Sequence, residues 1–196
     1  MRKRTSVGGF RLQHSNVARR ALLGTTWIEA LEARRLLAGG PSFDLWYGTD
    51  QTFGHLGNPQ RWANILGRVT DADGVASLSY TLNGGPSTPL EVGPNGTRLQ
   101  NAGDFNAELP IASLLNGSNA VVLTATDTLG NSTAQPVTVH YEAGNIWPSA
   151  YTIDWSNVSS VTDAVQVVDG KWKIENGGLR TVEAGYDRNV AIGDMA

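Results

Sequence analysis

Between residues 41 and 143, apolar and polar side chains alternate in short runs separated by turn residues. Three runs show the alternation most cleanly, with apolar side chains at every second position: Leu78, Tyr80 and Leu82; Val121, Leu123 and Ala125; Val137, Val139 and Tyr141. Because successive side chains of a strand point to opposite faces, each run predicts a strand with one face suited to a core. Turn signals recur at roughly 8–12 residue intervals, which is typical of a β-sandwich.

Further strands are predicted at four places in the same region: Trp62–Thr70, Pro89–Val92, Arg98–Gln100 and Phe105–Pro110. That makes about seven strands, the usual complement of a sandwich domain. The chain contains 23 Gly and 8 Pro among 196 residues, a composition that favours many turns between short strands. The sequence therefore predicts an all-β fold, with a β-sandwich at 41–143.

Two phrases in this region resemble bacterial immunoglobulin-like domains. Residues 65–75 read ILGRVTDADGV and residues 123–131 read LTATDTLGN, where a strand runs into Asp and a Gly-containing turn. The resemblance spans about residues 44–142 and implies an immunoglobulin-like sandwich. Such modules serve as spacers, adhesins and enzyme appendages, so the resemblance implies a fold and leaves the function open.

After residue 141 the pattern changes, and Glu142–Asn145 reads as a linker before Trp147-Pro148. Residues 165–168 and 171–175 predict a hairpin across Asp169-Gly170, a pair favoured in tight type I′ turns. A third strand is predicted at Leu179–Glu183. We expect residues 144–196 to be a linker followed by the first strands of a second β domain.

The phrase VVDGKWKIENGGLRT, residues 167–181, resembles the opening of concanavalin A-like lectin/glucanase and laminin-G-like jelly rolls. A jelly roll needs about eight strands, so this piece would leave its sheet edges unpaired. The expectation is an incomplete second domain whose natural chain continues past Ala196. The ligand loops and catalytic carboxylates of that family would lie beyond it, so none is assigned to this chain.

The first 40 residues carry eight Lys or Arg against two Glu, whereas the remainder carries seven against sixteen acidic residues. Residues 1–21 mix Arg with Gly, Ser and Asn, which predicts a disordered tail. Thr26 and Glu29 have the spacing of a capping box, and Gly39-Gly40 is a natural terminator. A short helix is therefore predicted at 27–37 within a basic segment, 1–40.

This segment, at about residues 19–39, resembles the N-terminal LEPR-XLL segment of planctomycete-type bacterial surface proteins. Leu31, Glu32, Arg34, Leu36 and Leu37 match its pattern, and Ala33 stands where the family has proline. The resemblance implies that the basic segment, 1–40, serves export or envelope targeting in a bacterium. The apolar run 21–24 is too short for the h-region of a general secretory signal.

Several function classes are disfavoured by composition. The chain has no cysteine, so disulfides and thiolate metal sites are excluded. Its basic residues form no stripe in the part predicted to fold, which argues against a nucleic-acid partner. The sequence contains no apolar run long enough for a transmembrane helix.

Candidate chemistry is sparse, and each candidate has a structural alternative. Asp71, Asp73 and Asp127 are considered for calcium, but a calcium site needs six to eight oxygens and Asp before Gly is commonly a turn former. Trp46, Tyr47 and Trp62 are considered as a carbohydrate-stacking platform, with core packing favoured. His14, His55 and His140 show no pairing typical of a metal site or a triad, and Trp172 is expected in a core.

The favoured hypothesis is a non-catalytic secreted or cell-surface module of spacer or adhesion type, with no cofactor and no catalytic or metal residue. Its partners would be neighbouring domains or envelope polysaccharide. One alternative is the N-terminal part of a carbohydrate-binding or carbohydrate-cleaving protein. Another is an intracellular protein whose basic tail binds an acidic partner.

Overall fold

The structure, a computed structural model, describes residues 39–185 and 187–195. The predicted basic tail, the helix at 27–37 and His14 lie outside the described residues. Described segments are almost entirely strands and loops, with short 3-10 turns at Ile111–Ser113, Trp155–Asn157 and Val161–Asp163. The strands are β1 (Ser42–Leu45), β2 (Asp50–Phe53), β3 (Trp62–Thr70), β4 (Val75–Leu82), β5 (Thr88–Leu90), β6 (Asp104–Pro110), β7 (Gly117–Asp127), β8 (Ser132–Tyr141), β9 (Gln166–Val167), β10 (Trp172–Glu175), β11 (Gly178–Thr181) and β12 (Val190–Ala191).

Two sheets form the immunoglobulin-like sandwich, which confirms the predicted fold class. One sheet has the order β1-β3-β6 and the other β2-β8-β7-β4-β5. All neighbours are antiparallel except β2 and β8, which run parallel. The two sheets share one apolar core, whose fully buried members include Ile65 and Phe105 from the first sheet and Val121, Leu123 and Val139 from the second.

The predicted alternation matches the observed burial along β7 and β8, and along β4 except at its last position, Leu82, which is only partly buried. Along β7, Val121, Leu123 and Ala125 are buried while the two residues between them are partly exposed. The buried row of β8 contains Val137 and Val139. Each of these faces therefore contributes to the core as the two-residue period predicts.

Strand β3 occupies the predicted range, Trp62–Thr70, but it is buried on both faces. Ile65 contributes to the sandwich core, whereas Leu66 belongs to a second apolar cluster with Val161 and Val165. Gly67 is required here because a Cβ atom would lie 2.6 Å from the Asp44 carbonyl oxygen. The adjacent apolar residues Ile65 and Leu66, which point to opposite faces of β3, thus reflect a second layer on its outer side.

One predicted strand is absent, and three short ones, β1, β2 and β12, were not predicted. Residues 98–100 form no strand, since the Asn95 side-chain oxygen accepts hydrogen bonds from the amides of Thr97 and Leu99 and closes a loop. Strands β1 and β2 have only four residues each, too few for a periodic pattern to identify them.

The predicted hairpin across Asp169-Gly170 is wrong. Strand β9 pairs with β12, and β10 pairs with β11 across Asn176-Gly177. Asn176 and Gly177 both have positive φ, 54° and 70°, as a type I′ turn requires. Asp169 does not have positive φ; it is buried instead.

Residues 153–190 supply most of the second apolar cluster, which covers the outer side of β3. Its partly buried members include Trp46 and Tyr47 from the sandwich and Trp172, Ile174 and Leu179 from the C-terminal stretch. The division into a sandwich at 41–143 and a second domain beginning at 144–196 stays a prediction. What the structure shows is that the described parts of both ranges share this cluster.

Candidate functional site

The residues of the predicted targeting motif, Leu31, Glu32, Arg34, Leu36 and Leu37, lie outside the described residues. Their role stays a prediction. Among the described residues, no helix has the length and apolar character needed to cross a membrane. The remaining candidates fall on the sandwich and on its contact with the C-terminal stretch.

Asp71, Asp73 and Asp127 do come together, with carboxylate oxygens within 4.8 Å of one another. Their hydrogen bonds already close two loops: Asp71 accepts from the Asp73 amide at 2.8 Å, and Asp127 accepts from the amides of Leu129 and Asn131, each at 2.8 Å. Burial alone would raise the pKa of Asp127, but the side chain and amide of Asn131 and neighbouring amides hold this pKa below its ordinary value. These contacts are those of turn-forming aspartates.

A Ser–His–Asp row crosses the outer face of the larger sheet. His140 Nδ1 lies 3.0 Å from Ser118 Oγ, its register partner across β7 and β8, and His140 Nε2 lies 3.2 Å from Asp50 Oδ1. Sequence reasoning did not find this row, because the three residues are distant along the chain. The row resembles a nucleophile, base and orienting group, but Ser118 and His140 lie on an exposed sheet face rather than in a cleft.

The aromatic candidates divide. Trp46, Tyr47 and Trp172 pack partly buried in the second apolar cluster, as expected for core residues. Trp62 is 41% exposed, because it is the first residue of β3 and lies at the end of the strand. Trp46, Tyr47 and Trp62 therefore do not form a shared exposed platform.

Tyr47 joins the sandwich to the C-terminal stretch. Its hydroxyl donates to the Gly170 carbonyl at 2.8 Å and accepts from the Trp172 amide at 2.9 Å. Burial raises the pKa of Tyr47, with a smaller contribution from the charge of Asp169. The phenol therefore stays protonated and keeps both hydrogen bonds.

Two arginines also connect these parts. Arg188 pairs with Asp169 of the same stretch, with Nη1 3.1 Å from Oδ2, and it donates to the Arg98 carbonyl oxygen of the sandwich at 3.2 Å. Arg68 binds the buried Asp104 at 2.8 Å and reaches Glu183 at 3.4 Å. The Arg188–Asp169 pair is buried, with side chains only 7% and 3% exposed.

His55 lies between the sandwich and the 3-10 turn Val161–Asp163. Its Nε2 atom is 3.1 Å from the Thr162 carbonyl oxygen, so Nε2 carries the proton and donates. Its Nδ1 atom is buried without a hydrogen-bond partner among the described residues. The sequence placed His55 in a loop without a functional partner, and the structure places it, half-buried, where two grooves meet.

The two grooves that meet at His55 are named here the aromatic groove and the polar groove. The aromatic groove, of about 320 Å³, is lined mainly by Trp147, Pro148, Tyr151, Ile153, Asp154 and Val158. The polar groove, of about 430 Å³, is lined mainly by Asp50, Gln51, Glu142, Ser160 and Thr162. His55 and Asp163 line both, so the grooves adjoin at these two residues.

The aromatic groove is built by contacts from distant parts of the chain. Asp194 accepts hydrogen bonds from the amides of Trp147 at 2.7 Å and Asn58 at 3.1 Å, which fixes the start of the Trp147 segment. The rings of Trp147 and Tyr151 meet edge to face, with centroids 4.6 Å apart and planes at 88°. Asp154 binds Ser156 and so begins the 3-10 turn that follows.

Sequence reasoning missed this paired groove. The sequence pattern placed Trp147-Pro148 directly after a linker, and it indicated no role for Asp154 or Asp163. The only local signal is Asp163, three residues after Ser160, a capping-box spacing that the structure confirms. The other contacts join residues 47 to 136 positions apart, which no local pattern reveals.

Comparisons with known proteins add little. No family model matches the chain, and no curated protein matches it. Among solved structures, the fibronectin(III)-like modules of Clostridium thermocellum CbhA match with a TM-score of 0.38 and 12% identity, over 60% of this chain and 54% of that chain. This chain thus corresponds to about half of that one. The likeness is too distant to carry an argument, and the assignment of an immunoglobulin-like sandwich rests on the strand order and shared core described above.

Proposed function

We propose that this chain is a non-catalytic extracellular or cell-surface module of spacer or adhesion type. The observation that supports this proposal is that buried carboxylates among the described residues are engaged in structural hydrogen bonds and ion pairs. Asp104, Asp127 and Asp169 are buried, and each is committed to hydrogen bonds or ion pairs that hold loops or segments together. Buried ionisable groups with such partners stabilise a framework.

Export is the second element of the proposal, and it rests on the resemblance of residues 19–39 to the LEPR-XLL segment. Neighbouring domains or envelope polysaccharide would be the partners of such a module. Fusing residues 1–40 to a reporter in a planctomycete host tests this element. We expect the reporter at the envelope or outside the cell, and the matched control replaces Arg34, Leu36 and Leu37 with Ala. Cytoplasmic retention of the unaltered fusion would contradict export.

The non-catalytic element is tested most sharply at the Ser118–His140–Asp50 row, because this row comes closest to a catalytic arrangement. Hydrolysis of p-nitrophenyl acetate by the protein should equal that of the Ser118→Ala variant. The reason is that the Ser118 and His140 side chains lie on an exposed face outside both grooves, where a substrate is neither positioned nor shielded from water. Hydrolysis that disappears in Ser118→Ala and in His140→Gln would overturn the proposal.

A further inference from the structure

The aromatic and polar grooves together have the size and chemistry of a small-molecule site. Ligand sites in proteins measure about 300–1,000 Å³ and combine apolar walls with a few polar groups. The aromatic groove alone, at about 320 Å³, reaches this range, and the polar groove extends it past His55. A spacer needs no such site, so an occupant would add a function beyond the one proposed above.

Charge selects the class of ligand. Four of the residues that line the two grooves carry carboxylates: Asp50, Glu142, Asp154 and Asp163. The described residues lining them include neither Lys nor Arg. A concave surface lined by one sign of charge attracts ligands of the opposite sign and repels anions.

The Asp154 carboxylate remains ionised, and the carboxylates that line the grooves retain free acceptor capacity. Hydrogen bonds from the Ser156 hydroxyl and amide, outweighing burial, hold the pKa of Asp154 below its usual range. Asp163 accepts from the Ser160 amide at 2.8 Å through one oxygen, and Glu142 accepts a 3.3 Å hydrogen bond from Asn145. An ionised carboxylate accepts about four hydrogen bonds, so each can also receive one from a ligand.

The aromatic pair favours a cation for an independent reason. Trp147 and Tyr151 meet at 88°, and Tyr151 remains 51% exposed. Ring faces attract ammonium groups through their quadrupole, and Trp is the strongest of the aromatic side chains in this respect. Ile153 and Val158 add apolar wall that suits methylene groups.

We propose that the aromatic and polar grooves together bind a small aliphatic di- or polyamine. Its methylene chain lies along the apolar wall, and its ammonium groups lie against Tyr151 and the carboxylates. The two grooves adjoin at His55 and Asp163, and each also has a carboxylate of its own, Asp154 in one and Asp50 and Glu142 in the other. This distribution matches a chain with separated positive charges. A neutral sugar would gain nothing from the net negative charge, and a phosphorylated ligand would be repelled.

The probe is spermidine, titrated into the whole protein and followed by isothermal calorimetry at low salt. We expect saturable binding that weakens when the ionic strength rises from about 0.05 to 0.5 M. Glu142→Gln should weaken binding by about two- to five-fold. Tyr151→Ala should have a similar effect, also about two- to five-fold. Both residues are exposed, and thermal unfolding of each variant checks that the fold is intact.

Asp71→Asn is the matched control, because it removes one surface carboxylate that lines neither groove. It should leave spermidine binding unchanged. Triethylene glycol, a neutral chain of similar length, and cellobiose should not bind. The proposal is overturned by any of four results: no spermidine binding at millimolar concentration, equal binding of either neutral probe, equal weakening by Asp71→Asn, or tighter binding of a trilysine peptide. None of these results bears on the absence of catalysis, which the Ser118→Ala comparison tests separately.

Discussion

The sandwich and the C-terminal stretch are stabilised in different ways. The sandwich has strands of up to 11 residues and a core in which Phe105, Leu109 and Leu123 are fully buried. The C-terminal stretch has strands of two to four residues, and its apolar side chains cover the outer side of β3 around Leu66. Specific polar contacts, from Tyr47, Arg68 and Arg188, connect it to the sandwich.

This difference shows which part depends on which. A two-stranded ribbon is at best marginally stable alone in water. The ribbon of β9 with β12 and the ribbon of β10 with β11 therefore need a surface to pack on. The sandwich provides that surface through β3, whose second apolar face would otherwise be exposed. Damage to the sandwich core should therefore unfold both regions, whereas damage to the contacts should release only the second.

The largest effect is expected from Phe105→Ala. Phe105 is fully buried, and its ring packs edge to face on Phe43 with centroids 6.1 Å apart. Removing it should lower the free energy of unfolding by about 3–5 kcal/mol. Urea unfolding followed by far-UV circular dichroism measures this, with Leu129→Ala, at a 51% exposed loop position, as the control. A loss below about 1 kcal/mol would contradict the assigned core.

Arg188→Met should have the next largest effect, and it should act on the C-terminal stretch. It leaves Asp169 buried without its partner, which costs about 3 kcal/mol, the lower end of the range for broken buried pairs. Arg98 remains close enough to Asp169 to offset part of the loss. The loss should appear as faster amide exchange at Val168 and Asp169.

The matched control is Arg180→Met. Arg180 also binds a carboxylate, Glu175, at 2.8 Å, but its side chain is 68% exposed. An exposed pair contributes about 0–1 kcal/mol, so this variant should resemble the unaltered protein. Equal effects of the two variants would contradict the burial of the Arg188–Asp169 ion pair.

Tyr47→Phe should have a moderate effect. It removes the hydroxyl that bonds both the Gly170 carbonyl and the Trp172 amide while keeping the ring. Leaving these two groups unpaired should cost about 1–2 kcal/mol. Thermal unfolding measures the change, with Tyr151→Phe as the control at an exposed ring. Stability equal to that of the unaltered protein would remove Tyr47 from the contact.

The smallest effect is the acid dependence contributed by Asp127. Its pKa is lower in the folded chain than in the unfolded chain, so its contribution is present above the unfolded pKa and is lost as pH falls through the folded pKa. The melting temperature should fall below about pH 4. The melting temperature of the Asp127→Asn variant should fall less steeply over that range. Parallel curves of melting temperature against pH for the two proteins would contradict this role.

The strands of the sandwich were largely predictable from the sequence, because the alternation of apolar and polar side chains that identifies them lies within each strand. The range Trp62–Thr70 is correct, and the apolar rows of β7 and β8 are buried as their period requires. The errors occur where side chains replace strand pairing: Asn95 closes the loop in which a strand was predicted at 98–100. At residues 169–170 the local pair indicated a hairpin, but Asp169 is buried against Arg188, and the flanking strands β9 and β10 pair with β12 and β11 instead.

The candidate site was not predictable in the same way. His55, Trp147 and Asp163 are separated by up to 108 positions, and Asp194 holds the Trp147 segment from the far end of the chain. Each residue type has an ordinary local explanation, as loop, linker or cap. Only the packing of the C-terminal stretch on β3 brings them to adjoining grooves.

The most direct test of the dependence of one region on the other is hydrogen exchange at single amides of the intact protein. The Trp172 amide, bonded to Tyr47, should exchange about 100-fold more slowly than in an unstructured peptide, and the Val168 amide should behave likewise. The Leu123 amide in the sandwich should be slower still. Exchange of Trp172 and Val168 at the unstructured rate, with Leu123 protected, would contradict the packing of the C-terminal stretch on β3.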